Sequence, residues 1–397
     1  MVLSATPRDA PSRRGDGRSV SLGNAQRFGL ADAILGRDVA GAQTPGAVLA
    51  VARRSGPVRT RAFGLARWEP DEAPVRDDTI FALASVTKSL VAVAVLQQVE
   101  RGTLLLDDPA VVHVPEFHAG EPRKASVTVR HLLAHTSGLD EEWVNARYRD
   151  DPERTRTWDA QVAVLCAAPL VFAPGERFAY ANANTSVLAE IVRRCSGLMI
   201  DTYLERHVFA PLGMADTSFF PQDASPERVA DVAPRGWPAQ RRPRATINSV
   251  FPADLRVPRP SGGLYSTAAD LVTLGRAFLH CLRGELYPAE SGTVLLTRPG
   301  MRLMLEDQAA RGLPGPPRGL WVELAASGHL PFFSPAAFAL GGSTGVSLRV
   351  DPEQDLVVAF LANCLGWDKR ARECAINAAV AAMAAPAASD HPDGPAA

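Results

Sequence analysis

Residues 340–363 read LGGSTGVSLRVDPEQDLVVAFLAN, and the way this stretch folds decides between two architectures. Gly341, Ser343 and Gly345 spell G-x-S-x-G, the pattern of a nucleophile elbow, which needs a strand, a sharp turn and then a helix so that the serine hydroxyl stands above the sheet. Beyond Gly345 come instead two apolar, β-rich runs split by Asp351-Pro352-Glu353-Gln354, a pattern that predicts a hairpin. An elbow serine is also followed along the chain by its acid and then its histidine, whereas His391 is the only histidine beyond Gly345. Ser343 is therefore excluded as nucleophile, and the glycine-rich turn needs another purpose.

Comparable β-like runs stand near the other end of the chain, GAVLAVARR (46–54) and VRTRAFGLA (58–66), joined by Ser55-Gly56-Pro57. From Arg318 onward GLWVEL and AAFAL precede VSLRV and LVVAFLAN. Between these ends the chain is mainly helical: SVTKSLVAVAVLQQVER (85–101), TVRHLLAH, AQVAVLCAAP, NTSVLAEIVRRCSG, DTYLERHVFAPLG and TAADLVTLGRAFLHCLRG. The first of these is a continuous apolar run closed by Gly102 and predicts a buried helix; the others carry apolar residues three or four apart. NAQRFGLADAILGRDV (24–39), capped by Asn24, and roughly Asp368–Ala382 predict terminal helices. Lone strands are unstable, so the simplest assembly pairs the terminal β runs into one antiparallel sheet. The expected fold class is thus α/β of the α+β type, the sheet flanked by the N- and C-terminal helices and interrupted by a large helical insertion. The expected division is 21–84 with 318–384 as the sheet domain and 85–317 as the helical domain. Within the latter, the proline- and arginine-rich stretch 221–260 (Arg235, Arg241, Arg242 and Arg244 around Trp237 and Phe251) reads as a lid loop. Residues 1–20 and 385–397 read as disordered.

With 397 residues, 46% hydrophobic, the chain can bury a large core, and its net charge of −1 gives no reason to expect nucleic acid or a membrane surface. The opening MVLSATPRDAPSRRGDGRSV has no apolar h-region, and no run approaches eighteen uncharged apolar residues, so the expectation is a soluble cytoplasmic protein. Five scattered cysteines (Cys166, Cys195, Cys281, Cys364, Cys374) without a C-x-x-C argue against a disulfide frame or a zinc site. Basic residues are nearly all arginine, the lysines being only Lys88, Lys124 and Lys369.

One of those lysines stands in a chemically suggestive place. On a helix, positions i and i+3 share a face, so Ser85 in the first turn brings its hydroxyl within reach of the Lys88 amine. Lys88 is the only charge in a run of Val, Ala and Leu, and desolvation there lowers a lysine pKa far enough to make it a base. Tyr180-Ala181-Asn182 adds a phenol, more easily ionised near an ammonium, and an amide able to hold a lysine or a carbonyl; by themselves these residues read rather as a helix-capping turn after Pro174-Gly175. His131 and His135 have i, i+4 ligand spacing but lack the Glu of H-E-x-x-H and a third ligand, so no metal is expected. Asp107-Asp108 reads as a surface turn.

Taken together, FALASVTKSLVAVAVLQQVERGTLLLDDP, VTVRHLLAHTSGL, PGERFAYANANTSVLAEIVRRCSG, PLGMADTSF, SGGLYSTAADL and GGSTGVSLRVDPEQDLVVAFLAN resemble, in order over about residues 45 to 365, the serine β-lactamase/penicillin-binding-protein-like superfamily, and within it the class C-like esterases and acyltransferases. The resemblance implies that Ser85 is acylated, that Lys88 is the lysine of S-x-x-K, and that Tyr180 and Asn182 form the Y-x-N motif. It places Leu340-Gly341-Gly342 at the third motif, usually K-T-G or H-x-G, and makes the backbone N–H groups of Ser85 and Ser343 the oxyanion hole. That gives the opening turn its purpose. Relatives handling penicillins or peptides carry a cation at the place of Leu340; leucine cannot attract a substrate carboxylate, which points to neutral acyl substrates.

The function implied is a serine hydrolase acting on a carboxylic ester or activated acyl group through a Ser85 acyl-enzyme, with Lys88 and Tyr180 as proton relay, no cofactor and no metal. Alternatives are an acyltransferase or thioesterase/macrocyclase of a biosynthetic pathway, a weak β-lactamase or D-amino peptidase, and a non-catalytic binder keeping the fold. The partner expected is a small-molecule ester or acyl substrate; a carrier-protein thioester would have to be met by the arginine-rich loop. Which of Lys88 and Tyr180 is the formal base is left open by the sequence.

Overall fold

Gly46–Arg53 (β1) runs antiparallel to Leu356–Ala362 (β9), with Ala47 opposite Ala362 and Arg53 opposite Leu356, so the two ends of the chain meet in the middle of one sheet. The computed structural model describes residues 24–68, 71–223, 225–234, 256–288, 292–328, 330–366 and 369–384. Outward from β1 lie Val58–Arg67 (β2) and Ala73–Pro74 (β3); outward from β9 lie Ser347–Asp351 (β8), Phe338–Gly341 (β7) and Glu323–Leu324 (β6), every neighbour antiparallel. The hairpin expected at Asp351–Gln354 is the β8–β9 turn, with Asp351 Oδ1 accepting the N–H groups of Glu353 and Gln354. A separate pair, Phe81–Ala82 (β4) with Tyr265–Ser266 (β5), lies directly before Ser85.

The central strands are buried on both faces, which explains why they read as continuous apolar runs rather than alternating ones. Ala47, Leu49 and Val51 of β1 and Val358 and Phe360 of β9 face a cluster made with Phe28, Ala31 and Leu35 of helix Asn24–Ala40 and with Ile376 and Ala379 of helix Lys369–Ala384. Val48, Ala50, Val357 and Ala359 face the opposite way, into a larger cluster with helices Val86–Glu100 and Ala268–Arg283. Gly275 permits the second of these to lie against the sheet, since a Cβ there would stand 2.4 Å from Val357 Cγ1. Helix Val86–Glu100 is buried from Val86 to Gln98 on all sides, as expected of a run with no polar face. It stops where Gly102 takes φ +72°.

Several elements depart from the sequence reading. Of GLWVEL only Glu323–Leu324 is strand; Gly319 packs against the Met304 carbonyl and Trp321 takes φ +61°, which breaks the extended run. Helices Glu141–Asp150 and Arg298–Leu305 are not among those read from the sequence. The first, EEWVNARYRD, has little apolar face and depends on Asp140, which accepts the Trp143 N–H; the second is started by a Thr297 cap and a proline. Asp108 accepts the Leu105 N–H, so that pair does form a turn, while Asp107 pairs with Arg130. The expectations for 1–20, for 385–397, for Asp368 and for most of the lid loop, including its four arginines, Trp237 and Phe251, fall outside the described residues. Among the described residues no helix is long and apolar enough to cross a membrane.

Candidate active site

Ser85 stands at the N-cap position of helix Val86–Glu100, its hydroxyl making no capping hydrogen bond. The residue before it, Ala84, holds φ +47°, a left-handed conformation that costs an L-residue about 1–2 kcal/mol. Such strain persists only where the surroundings impose it. Here they do: Leu83 N–H donates to the Leu264 carbonyl, Thr87 Oγ1 donates to the Ala84 carbonyl, and the Leu264 N–H returns to Thr87 Oγ1. The turn is fastened on both sides, and the hydroxyl of Ser85 is aimed by it.

Two groups converge on that hydroxyl. Lys88 Nζ donates to Ser85 Oγ at 3.0 Å, and the Tyr180 hydroxyl shares a hydrogen bond with the same oxygen at 2.8 Å. Lys88 also donates to the Ser261 carbonyl, a contact from the SGGLYSTAADL block. The lysine is 1% exposed, and burial draws its ammonium down to about 7 against the opposing pull of the Glu141 carboxylate. Burial moves the Tyr180 phenol the other way, above its usual value, although its bond to Ser85 and the nearby Arg318 charge counter this. The amine is thereby brought within reach of deprotonation near neutral pH, while the phenol is held in its protonated form.

The glycine turn faces the same serine. A Cβ on Gly342 would stand 2.2 Å from the Leu83 carbonyl oxygen, so only glycine lets this strand approach the backbone in front of Ser85. Thr344 fixes the approach by donating Oγ1 to the Ala82 carbonyl at 2.7 Å, and Gly345 completes the turn at φ +90°. Among the described residues neither the Ser85 nor the Ser343 backbone N–H donates a hydrogen bond within the chain. Leu340 is 1% exposed and belongs to the same large core cluster as Leu83 and Val86, so its side chain is packed into the core. A Cβ on Gly341, at the exposed end of β7, would meet nothing closer than Glu323 Oε1 at 3.7 Å.

Asn182 sits differently from the sequence reading. Its Nδ2 donates to Glu141 Oε1 at 2.7 Å, while Lys88 Nζ donates to Ser85 and Ser261; Glu141 also takes the Ala183 N–H at 2.9 Å and so holds the start of helix Asn182–Ser196. Glu141 is thus a site residue that sequence reasoning missed; in LDEEW nothing distinguishes it from its two acidic neighbours. Trp321 was missed as well. Its ring centroid is 5.7 Å from Lys88 Nζ and 3.9 Å from the His135 ring, but a lone tryptophan in a strand-like run gives no hint of that. His131 and His135 do not converge. His131 Nδ1 accepts the Thr128 N–H in a capping box, and His135 Nδ1 accepts the Ala181 N–H. Among the described residues no group of three or more His, Cys, Asp or Glu is placed to hold a metal ion.

This combination of a serine, a buried lysine one turn on, a tyrosine from a separate loop and a glycine turn opposite is accompanied by a match to the family model described as Beta-lactamase over residues 31–383. The chain belongs to the beta-lactamase family. It is 36% identical over 286 residues to esterase EstB of Burkholderia gladioli, covering 65% of this chain and 71% of that protein. It is 28% identical over 324 residues to the monacolin J acid methylbutanoyltransferase of Aspergillus terreus, covering 76% of each. Its fold matches that of EstCE1, described as a hydrolase with promiscuous acyltransferase activity, with a TM-score of 0.72 at 21% identity over 90% of this chain and 99% of that one. As a beta-lactamase family member with esterase and acyltransferase relatives, the chain is an enzyme of the serine esterase/acyltransferase kind.

Proposed function

We propose that this enzyme hydrolyses small, neutral carboxylic esters through an acyl-enzyme on Ser85. The observation that carries the reading is the meeting of Lys88 Nζ and the Tyr180 hydroxyl at Ser85 Oγ, at 3.0 and 2.8 Å. With its pKa near 7, Lys88 is the group that accepts the Ser85 proton as Oγ attacks the carbonyl carbon. Tyr180, protonated in the resting enzyme, passes a proton to the leaving alkoxide as the tetrahedral intermediate collapses and is reprotonated from Lys88. The oxyanion rests on the N–H groups of Ser85 and Ser343, a reading supported by the close approach of Gly342 to the Leu83 carbonyl. Asn182, its amide nitrogen anchored by Glu141, orients the substrate. Water then attacks the acyl-enzyme, its proton leaving by the same relay. The apolar Leu340 offers no cation to a substrate carboxylate, which supports neutral acyl groups over β-lactams or peptides.

The test is hydrolysis of short-chain p-nitrophenyl esters by the parent and by Ser85→Ala. Turnover that the substitution removes supports the reading; turnover that survives it unchanged excludes Ser85 as nucleophile. A second reading, transfer of the acyl group to an alcohol or amine, is favoured by the similarity to a methylbutanoyltransferase across 76% of the chain. Competition between water and added acceptor alcohols decides it: transfer products that outnumber hydrolysis at modest acceptor concentration favour transfer, and exclusive release of the free acid removes it.

A further inference from the structure

His135 is fully buried, takes φ +61° and lies between two rings of the site, stacked on Tyr180 at 4.4 Å and 27° and meeting Trp321 edge-on at 3.9 Å. Its backbone carbonyl accepts the Ala179 N–H at 2.9 Å, and its Nδ1 accepts the Ala181 N–H at 3.1 Å. Both residues flanking Tyr180 therefore hang on the same histidine, while its ring supports the phenol from the side. We infer that His135 is a positioning residue for the proton relay, acting through Tyr180 and fixing where the phenol hydroxyl meets Ser85 Oγ.

The chemistry of the imidazole agrees with this role and with no direct part in proton transfer. An Nδ1 that accepts from a backbone N–H leaves the proton on Nε2, and Nε2 is buried with no acceptor among the described residues. Protonating Nδ1 would set a donor against the Ala181 donor and the Asn184 amide 3.4 Å away. Burial first, and then the charges of Arg318 and Lys88, hold the ring neutral. A neutral ring also leaves the depressed Lys88 amine without a further cation to compete with. The left-handed backbone at 135 turns the ring toward Tyr180 while leaving the carbonyl on Ala179; apart from glycine, asparagine is the residue that best tolerates that conformation.

This inference rests on the esterase reading, and the experiment separates the two. Ester hydrolysis is measured for the parent, Ser85→Ala, His135→Phe, His135→Asn, Tyr180→Phe and the two His135 substitutions combined with Tyr180→Phe. Phenylalanine keeps a ring but loses the acceptor; asparagine places an oxygen near the position of Nδ1 and suits the backbone. The expected result for His135→Phe is a fall in kcat of about a hundredfold with KM changed less than about threefold, the scale of a misplaced reacting group. His135→Asn recovers most of it. In the Tyr180→Phe background neither His135 substitution lowers kcat further, because the hydroxyl through which it acts is gone. Full kcat in His135→Phe, or an undiminished effect of either substitution in the Tyr180→Phe background, overturns the inference while leaving Ser85 catalysis intact. Should His135→Phe fail to fold, His135→Gly, which also removes the acceptor and suits the left-handed backbone, takes its place with and without Tyr180→Phe and is read in the same way. Absence of Ser85-dependent turnover in the parent overturns the esterase reading, and this inference with it.

Discussion

Lys88 Nζ lies 3.0 Å from Ser85 Oγ, one helical turn along and almost wholly removed from water. Burial has cost this amine its charge preference, so the acid limb of the pH dependence of kcat/KM should report it. The sign is set by the role: the amine must be neutral to take a proton, so activity rises with pH as Lys88 deprotonates and levels off above it. The expected midpoint is about 7, measured with a neutral ester whose own ionisation does not intervene. A limb centred below pH 5 would assign the base to a carboxylate.

Glu141 is the group whose charge opposes that depression. Glu141→Gln removes the charge and keeps an acceptor for the Ala183 N–H. Lys88 then loses its proton more readily, and the acid limb moves to lower pH. Its movement to higher pH, or no movement, would mean that Glu141 serves only as the anchor for Asn182. Some loss of kcat is expected in either case, since a Gln amide cannot accept from Asn182 and Ala183 as the two carboxylate oxygens do.

Tyr180→Phe removes one hydroxyl and leaves the ring on His135. Loss of a general acid–base group costs about 10²–10⁴-fold in kcat, with KM little affected because the phenol acts on the reacting oxygens. Tyr180 as a residue is 47% exposed and the substitution keeps its ring, so unfolding in urea should shift by no more than about 0.5 kcal/mol. A large stability change with a small kinetic one would make Tyr180 a structural residue.

Gly342→Ala and Gly341→Ala distinguish close approach from mere position in a motif. At 342 the added methyl meets a backbone oxygen at 2.2 Å, at 341 only a side-chain oxygen at 3.7 Å. The first substitution should push the turn off Ser85, destabilise the fold by about 1–3 kcal/mol and reduce kcat by at least about tenfold. The second should unfold within about 1 kcal/mol of the parent. Equal midpoints for the two in urea would show that the strand is free to recede.

The sheet was legible because its central strands are buried on both faces and so betray themselves as apolar runs at the two ends of the chain. The nucleophile helix was legible for the same reason, with a lone lysine made conspicuous by its apolar setting. What the sequence hid were relationships between side chains that no local pattern encodes. Glu141 is one carboxylate in an acidic turn until folding sets it beneath Asn182, and Trp321 is a strand-like residue until a left-handed backbone turns it across His135. His135 reads as half of an incomplete metal motif inside a block of the family resemblance; its link to Tyr180 joins distant parts of the chain and exists only in three dimensions. Asn182 is placed at the site by its motif, but its partner there is decided by packing and not by spacing.

The pairing of β1 with β9 has a consequence for synthesis. The strand that begins at Gly46 has no inner neighbour until Leu356–Ala362 has been made, and the turn at Gly342 that faces Ser85 arrives only shortly before it. Closing a loop of some three hundred residues is the slow step in such a topology. A chain in synthesis therefore carries Ser85, Lys88 and Tyr180 long before the Gly342 turn and the strand Leu356–Ala362 exist for the rest of the sheet to close upon.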